Sequence, residues 1–166
     1  ADIAVKFALT GHLVFSTVHA NDAPGTITRL LDIGIAPFLV GSCLNLVMAQ
    51  RLVRRLCNNC KEEYTPTKQE LGLVGLDPSR VPDKLYKAKG CAECRNTGYK
   101  GRLAIFEMIP MARDLRKLVF ENANEDEIRQ ASLNNGMETL REAGLARILD
   151  GTTSIEEVLR STVEDL

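Results

Sequence analysis

Gly11-His12-Leu13-Val14-Phe15-Ser16-Thr17-Val18-His19-Ala20-Asn21-Asp22-Ala23-Pro24 is the stretch that decides the fold class. Residues 13–18 form a short apolar run with β-branched side chains, preceded by a glycine and followed by polar His19 and Asn21, the pattern of a buried strand. Asp22 then offers a side-chain oxygen for a helix N-cap. Pro24 suits the first helical turn, where its missing N–H has no partner to lose. Ile27, Leu30 and Leu31 share one helical face, and Gly34 ends it. Strand followed by helix predicts an α/β layer over residues 1–56.

Downstream, residues 38–48 are apolar almost all round, which predicts a helix packed inside the protein. Gln50-Arg51-Leu52-Val53-Arg54-Arg55-Leu56 alternates enough for a strand, and carries three arginines into the first cysteine pair. The stretch 61–90 contains Pro66, Pro78 and Pro82 and reads as an inserted, loop-rich lobe with a short helix near Lys68–Leu71. Arg102-Leu103-Ala104-Ile105-Phe106-Glu107-Met108-Ile109 is expected to return as a strand. Beyond it the sequence is helical. Leu115, Leu118 and Val119 mark one face, Asn124 with Glu127 a cap, and Gly136 a stop. Leu140, Gly144, Leu145 and Ile148 mark a third helix that ends at Gly151, and Ser154 with Glu157 caps a fourth. The tail is predicted to be a small helical bundle, so the chain divides into 1–56, a lobe at 57–101 and a strand-plus-helices segment at 102–166.

Cys57-Asn58-Asn59-Cys60 and Cys91-Ala92-Glu93-Cys94 are two C-x-x-C pairs, and together they supply the four thiolates of a tetrahedral structural zinc site. Gly90, Gly98 and Gly101 let the backbone turn sharply around the second pair. Two disulfides, a redox dithiol and unpaired cysteines are the alternatives. No secretion-type N-terminal stretch favours the first, and a redox motif needs one pair on a thioredoxin-like unit. Four cysteines leave zinc no open position, so its expected role is structural. Cys43, in the apolar stretch, reads as a small core residue.

The chain has 166 residues, 45% of them hydrophobic and 26% charged, enough for a real core. Its 21 basic and 22 acidic residues give a formal charge of -1, which provides no general attraction to nucleic acid or anionic lipid. No run approaches the roughly 18 apolar residues of a membrane span. Opening on Ala1 in mid-pattern, the sequence reads as a piece of a longer protein.

The stretch from Ala8 to Ala23 resembles the His box of the bacterial secretion and pilus-assembly ATPases. The likeness continues through Arg29–Gly34, Ala49–Arg54, the cysteine pairs, Gly98-Tyr99-Lys100-Gly101-Arg102 and Gly136–Leu140. The resemblance implies the C-terminal part of a RecA-like P-loop ATPase domain, from a homohexamer peripheral to the cytoplasmic face of the inner membrane. Such a motor powers type II secretion or type IV pilus assembly against an inner-membrane platform protein, with ATP and Mg2+ as cofactors and no nucleic-acid partner. The tetracysteine lobe points to the secretion and assembly branch. No G-x-x-x-x-G-K-[ST] loop is present and Gly-Lys does not occur, so this stretch by itself is expected to be inactive.

By the same resemblance His19 and His12 are the candidate catalytic residues. An imidazole at the end of the first strand can hydrogen-bond a γ-phosphate or its attacking water. A strand-end histidine satisfying a backbone group is the competing reading, more so for His12. Arg51, Arg54, Arg55, Lys100 and Arg102 form a basic group near the metal that suits an acidic partner, a neighbouring subunit, a phosphate or plain solvent. The alternative function is a zinc-ribbon binding or scaffold module without catalysis. Three tyrosines and no tryptophan offer little for base stacking.

Overall fold

The computed structural model describes residues 2–162, apart from the side chains of Asp2 and Arg80. Its elements run α1 (Asp2–Leu9), α2 (Ala23–Asp32), α3 (Pro37–Cys43), β1 (Leu46–Leu56), β2 (Glu62–Tyr64), α4 (Lys68–Val74), β3 (Leu85–Lys87), β4 (Tyr99–Pro110), α5 (Arg113–Phe120), α6 (Glu125–Asn134), α7 (Leu140–Leu149) and α8 (Ile155–Ser161). The mixed α/β character expected from the sequence holds. β1 pairs with β4, and β2 pairs antiparallel with β3 in the register Glu62↔Lys87, Glu63↔Tyr86, Tyr64↔Leu85.

Contacts divide the chain into one unit of residues 1–49 with 107–138, and another of 50–106 with 139–166. In the first, α2, α3, α5 and α6 pack around Ile27, Val40, Leu115, Val119 and Ile128, all essentially inaccessible to solvent. In the second, α4, β3, α7 and α8 bury Leu71, Val74, Leu85, Ile148, Ile155 and Val158. The tail is therefore not one bundle. Its α5 and α6 find their apolar partners on α2 and α3, while α7 and α8 find theirs in the lobe between the cysteine pairs.

The predicted strand at 13–18 does not form, and Leu13 and Phe15 are 78% and 88% exposed. A β-prone run becomes a strand only when another strand offers a hydrogen-bonding ladder. Among the described residues none pairs with it. The apolar stretch 38–48 also differs from its prediction. Leu44 turns extended after α3, and Leu46–Met48 open β1 with Val47 buried between two half-exposed neighbours. Gly41, Ser42 and Cys43 hold a helix poorly, so the backbone switches to the two-residue alternation of a strand.

Local signals fared better. Asp22 caps α2 by accepting from Gly25 N at 2.7 Å. Asn124 with Glu127 forms a reciprocal capping box on α6, as do Thr67 with Glu70 on α4 and Thr139 with Glu142 on α7. Gly144 lets α7 and α8 approach closely, because a Cβ there would lie 2.6 Å from Cγ1 of buried Val158. Gly144→Ala gains about 1 kcal/mol of helix propensity but overpacks the contact by about 1–3 kcal/mol. The expected net result is a destabilisation of about 1 kcal/mol, read as a lower denaturation midpoint; a higher midpoint would contradict the close approach.

Candidate functional site

The four cysteines converge in the second unit. Cys57 leaves β1, its N–H donating to Gly98 O at 2.9 Å, and the Cys57–Cys60 turn is closed by Cys60 N and Lys61 N donating to Cys57 O. The second pair sits on a single 3-10 turn at Ala92–Cys94, followed by Arg95 and Asn96 in left-handed conformation. That reversal brings Asn96 N to Cys91 O at 2.8 Å. It also presses Gly98 (φ +77°) onto Ala88, where a Cβ would meet another at 2.5 Å, so this position needs glycine twice over.

All four Sγ atoms lie within 4.8 Å of one another. Cys94 Sγ stands 3.8 Å from both Cys60 Sγ and Cys91 Sγ. A tetrahedron of sulfurs about 2.3 Å from a zinc ion has edges of about 3.8 Å. The cysteines are free thiols, which sets aside the paired disulfides. Backbone amides support the set, with Cys91 N and Gly98 N each 3.2 Å from Cys94 Sγ. Burial pushes the Cys94 thiol up, but those two N–H groups, together with hydrogen bonds from the Cys91 and Cys60 side chains, outweigh it and bring the thiol down to about 6. Burial, reinforced by contacts with neighbouring thiols, pushes Cys60 up to about 12. A site with this divided ionisation can take a divalent cation, which would convert all four thiols to thiolates.

Arg54, read from sequence as one of a basic group, has a definite partner. Its Nε donates to Glu157 Oε2 at 2.8 Å and its backbone N to Oε1 at 2.9 Å. Arg160 adds Nη2 to Oε1 at 2.7 Å. The Glu157 side chain is fully buried, and the Arg54 guanidinium lies 4.0 Å over the Tyr99 ring, whose hydroxyl meets Ser154 Oγ at 2.7 Å. Ser154 caps α8 as predicted, by accepting from Glu157 N. The Glu157 carboxylate does not complete the capping pair; it turns to the arginines instead. Thr153 Oγ1 donates to Arg54 O and Leu56 N donates to Thr152 O, so the start of α8 is fastened to the strand that delivers Cys57. Sequence gave one local hint, the i,i+3 spacing of Glu157 and Arg160, and none of the Arg54 contact.

The histidines lie in the first unit and are exposed. His12 Nδ1 is 3.0 Å from Thr10 Oγ1, and its ring meets Phe7 edge-on. His19 lies three residues before the α2 cap, on an exposed segment without regular structure. Neither joins the cysteine cluster. Lys100 pairs with Glu93, while Arg55 and Arg102 are exposed. Cys43 is half-buried, with Sγ 3.8 Å from Val40 O.

Residues 1–160 match the family model described as type II/IV secretion system protein. The chain belongs to this family. Among its secretion-family relatives, the type IV pilus assembly ATPase PilB of Myxococcus xanthus is 47% identical over 99% of this chain and 30% of its own length. The type II secretion system protein E of Pseudomonas aeruginosa is 46% identical over 99% of this chain and 32% of its own. The type IV pilus assembly ATPase PilB of Thermus thermophilus is 44% identical, again over 99% of this chain but 19% of its own. The chain thus spans about a third or less of these relatives. No helix among its described residues is long and apolar enough to cross a membrane.

Proposed function

We propose that this chain is part of a cytoplasmic motor ATPase that works as a homohexamer peripheral to the inner membrane and powers type II secretion or type IV pilus assembly through an inner-membrane platform protein. The observation that carries the reading is near-complete alignment, at 40–47% identity, with proteins named as secretion and pilus-assembly components. In this reading residues 1–56 would be the C-terminal part of the RecA-like core, 57–101 the tetracysteine lobe, and 102–166 a C-terminal strand and helical segment. ATP and Mg2+ would be held largely by segments outside this sequence, which has no Gly-Lys pair; the stretch by itself would be inactive.

Within it, Cys57, Cys60, Cys91 and Cys94 would hold a structural zinc ion. His19, with His12 as a second candidate, would face the nucleotide, where an imidazole can orient the attacking water or contact the γ-phosphate. Loss of such a group typically costs about 10²-fold or more in turnover. His19→Ala in the full-length protein is therefore expected to lower the ATPase kcat by about that factor, and Cys57→Ser to lower it through loss of the folded lobe. Wild-type turnover in both variants, or tight DNA binding by residues 1–166 at physiological salt, would sink the motor reading.

A further inference from the structure

Resting on the reading of His19 as a nucleotide-facing group, we infer that Glu107 is a positioning residue for it, acting through the start of helix α2. Glu107 lies on β4, with 1% of the residue accessible, and its Oε1 accepts from Ala23 N at 2.7 Å. Ala23 is the first residue of α2, fully buried, and four positions beyond His19. A carboxylate here satisfies one of the helix's orphan N–H groups and complements the positive end of its dipole.

The neighbouring residue is held just as firmly. Asp22 accepts from Gly25 N, and its Oδ2 receives Arg129 Nη2 at 2.6 Å. Arg129 is fixed in turn by Glu125, 2.8 Å away on the same helix α6. Gly25 leaves room for this cap, since a Cβ there would stand 2.9 Å from Asp22 Oδ1. Residues 22 and 23 are thus pinned by side chains from β4 and α6, while residues 12–20 before them take no regular structure and His19 is exposed. The exit of the segment bearing His19 is set by two carboxylates. Glu107 is the more distant in sequence and the more deeply buried, and it holds the backbone itself.

An imidazole displaced by about 1 Å can cost on the order of 10²-fold in rate while leaving substrate affinity nearly intact. The test is steady-state ATP hydrolysis by the full-length protein carrying Glu107→Ala, Glu107→Gln, His19→Ala and the double variants. Glu107→Ala is expected to lower kcat about tenfold with KM for ATP changed less than threefold. Glu107→Gln, which keeps an oxygen for Ala23 N, should return to within threefold of wild type. On the His19→Ala background, Glu107→Ala should cost less than a further twofold, because the group it positions is gone.

Wild-type kcat in Glu107→Ala, or the same tenfold loss repeated on the His19→Ala background, would overturn the inference. Should Glu107→Ala fail to fold, Glu107→Asp, whose shorter side chain draws the carboxylate back from Ala23 N, decides: a kcat loss of threefold or more that vanishes on the His19→Ala background supports the inference, and a wild-type rate, or the same loss on that background, overturns it. The His19 reading fails by a different result, wild-type turnover in His19→Ala alone.

Discussion

Stripping the metal from the full-length protein with a strong chelator is expected to release one zinc ion per chain and to expose the amides of residues 57–61 and 90–98 to solvent exchange before those of the rest of the unit. The turns that carry the cysteines are held mainly by short-range bonds, Cys60 N and Lys61 N to Cys57 O, Cys94 N and Asn96 N to Cys91 O, and Thr97 N to Cys94 O. The β2–β3 ladder between them pairs three residues on each side. Apparent binding energies of such sites are about 10–16 kcal/mol, comparable with or above the whole stability of an ordinary domain. Four thiols crowded within 4.8 Å also repel as they ionise, unless a cation sits among them. Leu71, Val74 and Leu85 rest on Ile148, Ile155 and Val158, so part of the lobe retains a core after the turns open. Hydrogen exchange with mass spectrometry reads the order, and atomic emission reads the metal. Protein purified without added zinc that carries well under one equivalent, and exchange unchanged by chelation, would refute the metal centre. Cys57→Ser should give the same exchange pattern without a chelator.

Replacing Glu157 is the next largest expected loss. Glu157→Ala removes a fully buried carboxylate that serves Arg54, Arg160 and one backbone N–H. Breaking a buried pair from one side costs about 3–5 kcal/mol. The guanidinium side chains are 37% and 58% exposed and can regain water, which puts the expected cost near the lower end, about 3 kcal/mol. Glu157→Gln, retaining an acceptor oxygen, should lose less. Native-state hydrogen exchange across α8 and the end of β1 measures both. Equal protection in wild type and Glu157→Ala would show that the network adds nothing.

The same carboxylate predicts a pH dependence. Burial pushes Glu157 up, but hydrogen bonds from Arg160, from the Arg54 side chain and from Arg54 N overcome it and hold the group at about 2. In the unfolded chain a glutamate titrates near 4.3. The folded value is the lower one, so the contribution is fully present above about pH 4.3 and declines as pH falls towards 2. Glu157→Gln should flatten the acid limb of the stability profile in that window, and leave it unchanged at neutral pH apart from a constant offset.

Two C-x-x-C pairs pointed to a cysteine cluster able to hold a metal ion because each pair is a local turn, and the second differs from an ordinary loop by its glycines. The caps were equally legible. Asp22, Asn124 with Glu127 and Ser154 act on N–H groups three residues ahead, within the reach of a short sequence window. Arg54 was visible as a charge and invisible as a partner, since Glu157 lies 103 residues away. Glu107 was legible as one polar position in a strand, with nothing to connect it to Ala23 at a separation of 84.

What the sequence determined by itself was the cysteine tetrad, the helix starts and the family, because these rest on spacing and on bonds between near neighbours. The tertiary structure alone decided that residues 13–18 form no strand among the described residues, that α3 yields to β1 at Leu44, and that the tail helices separate between two cores. Each of these outcomes depends on which distant surface is available to take a ladder bond or an apolar face. Periodicity states what a segment can bury, and only packing settles what it is buried against.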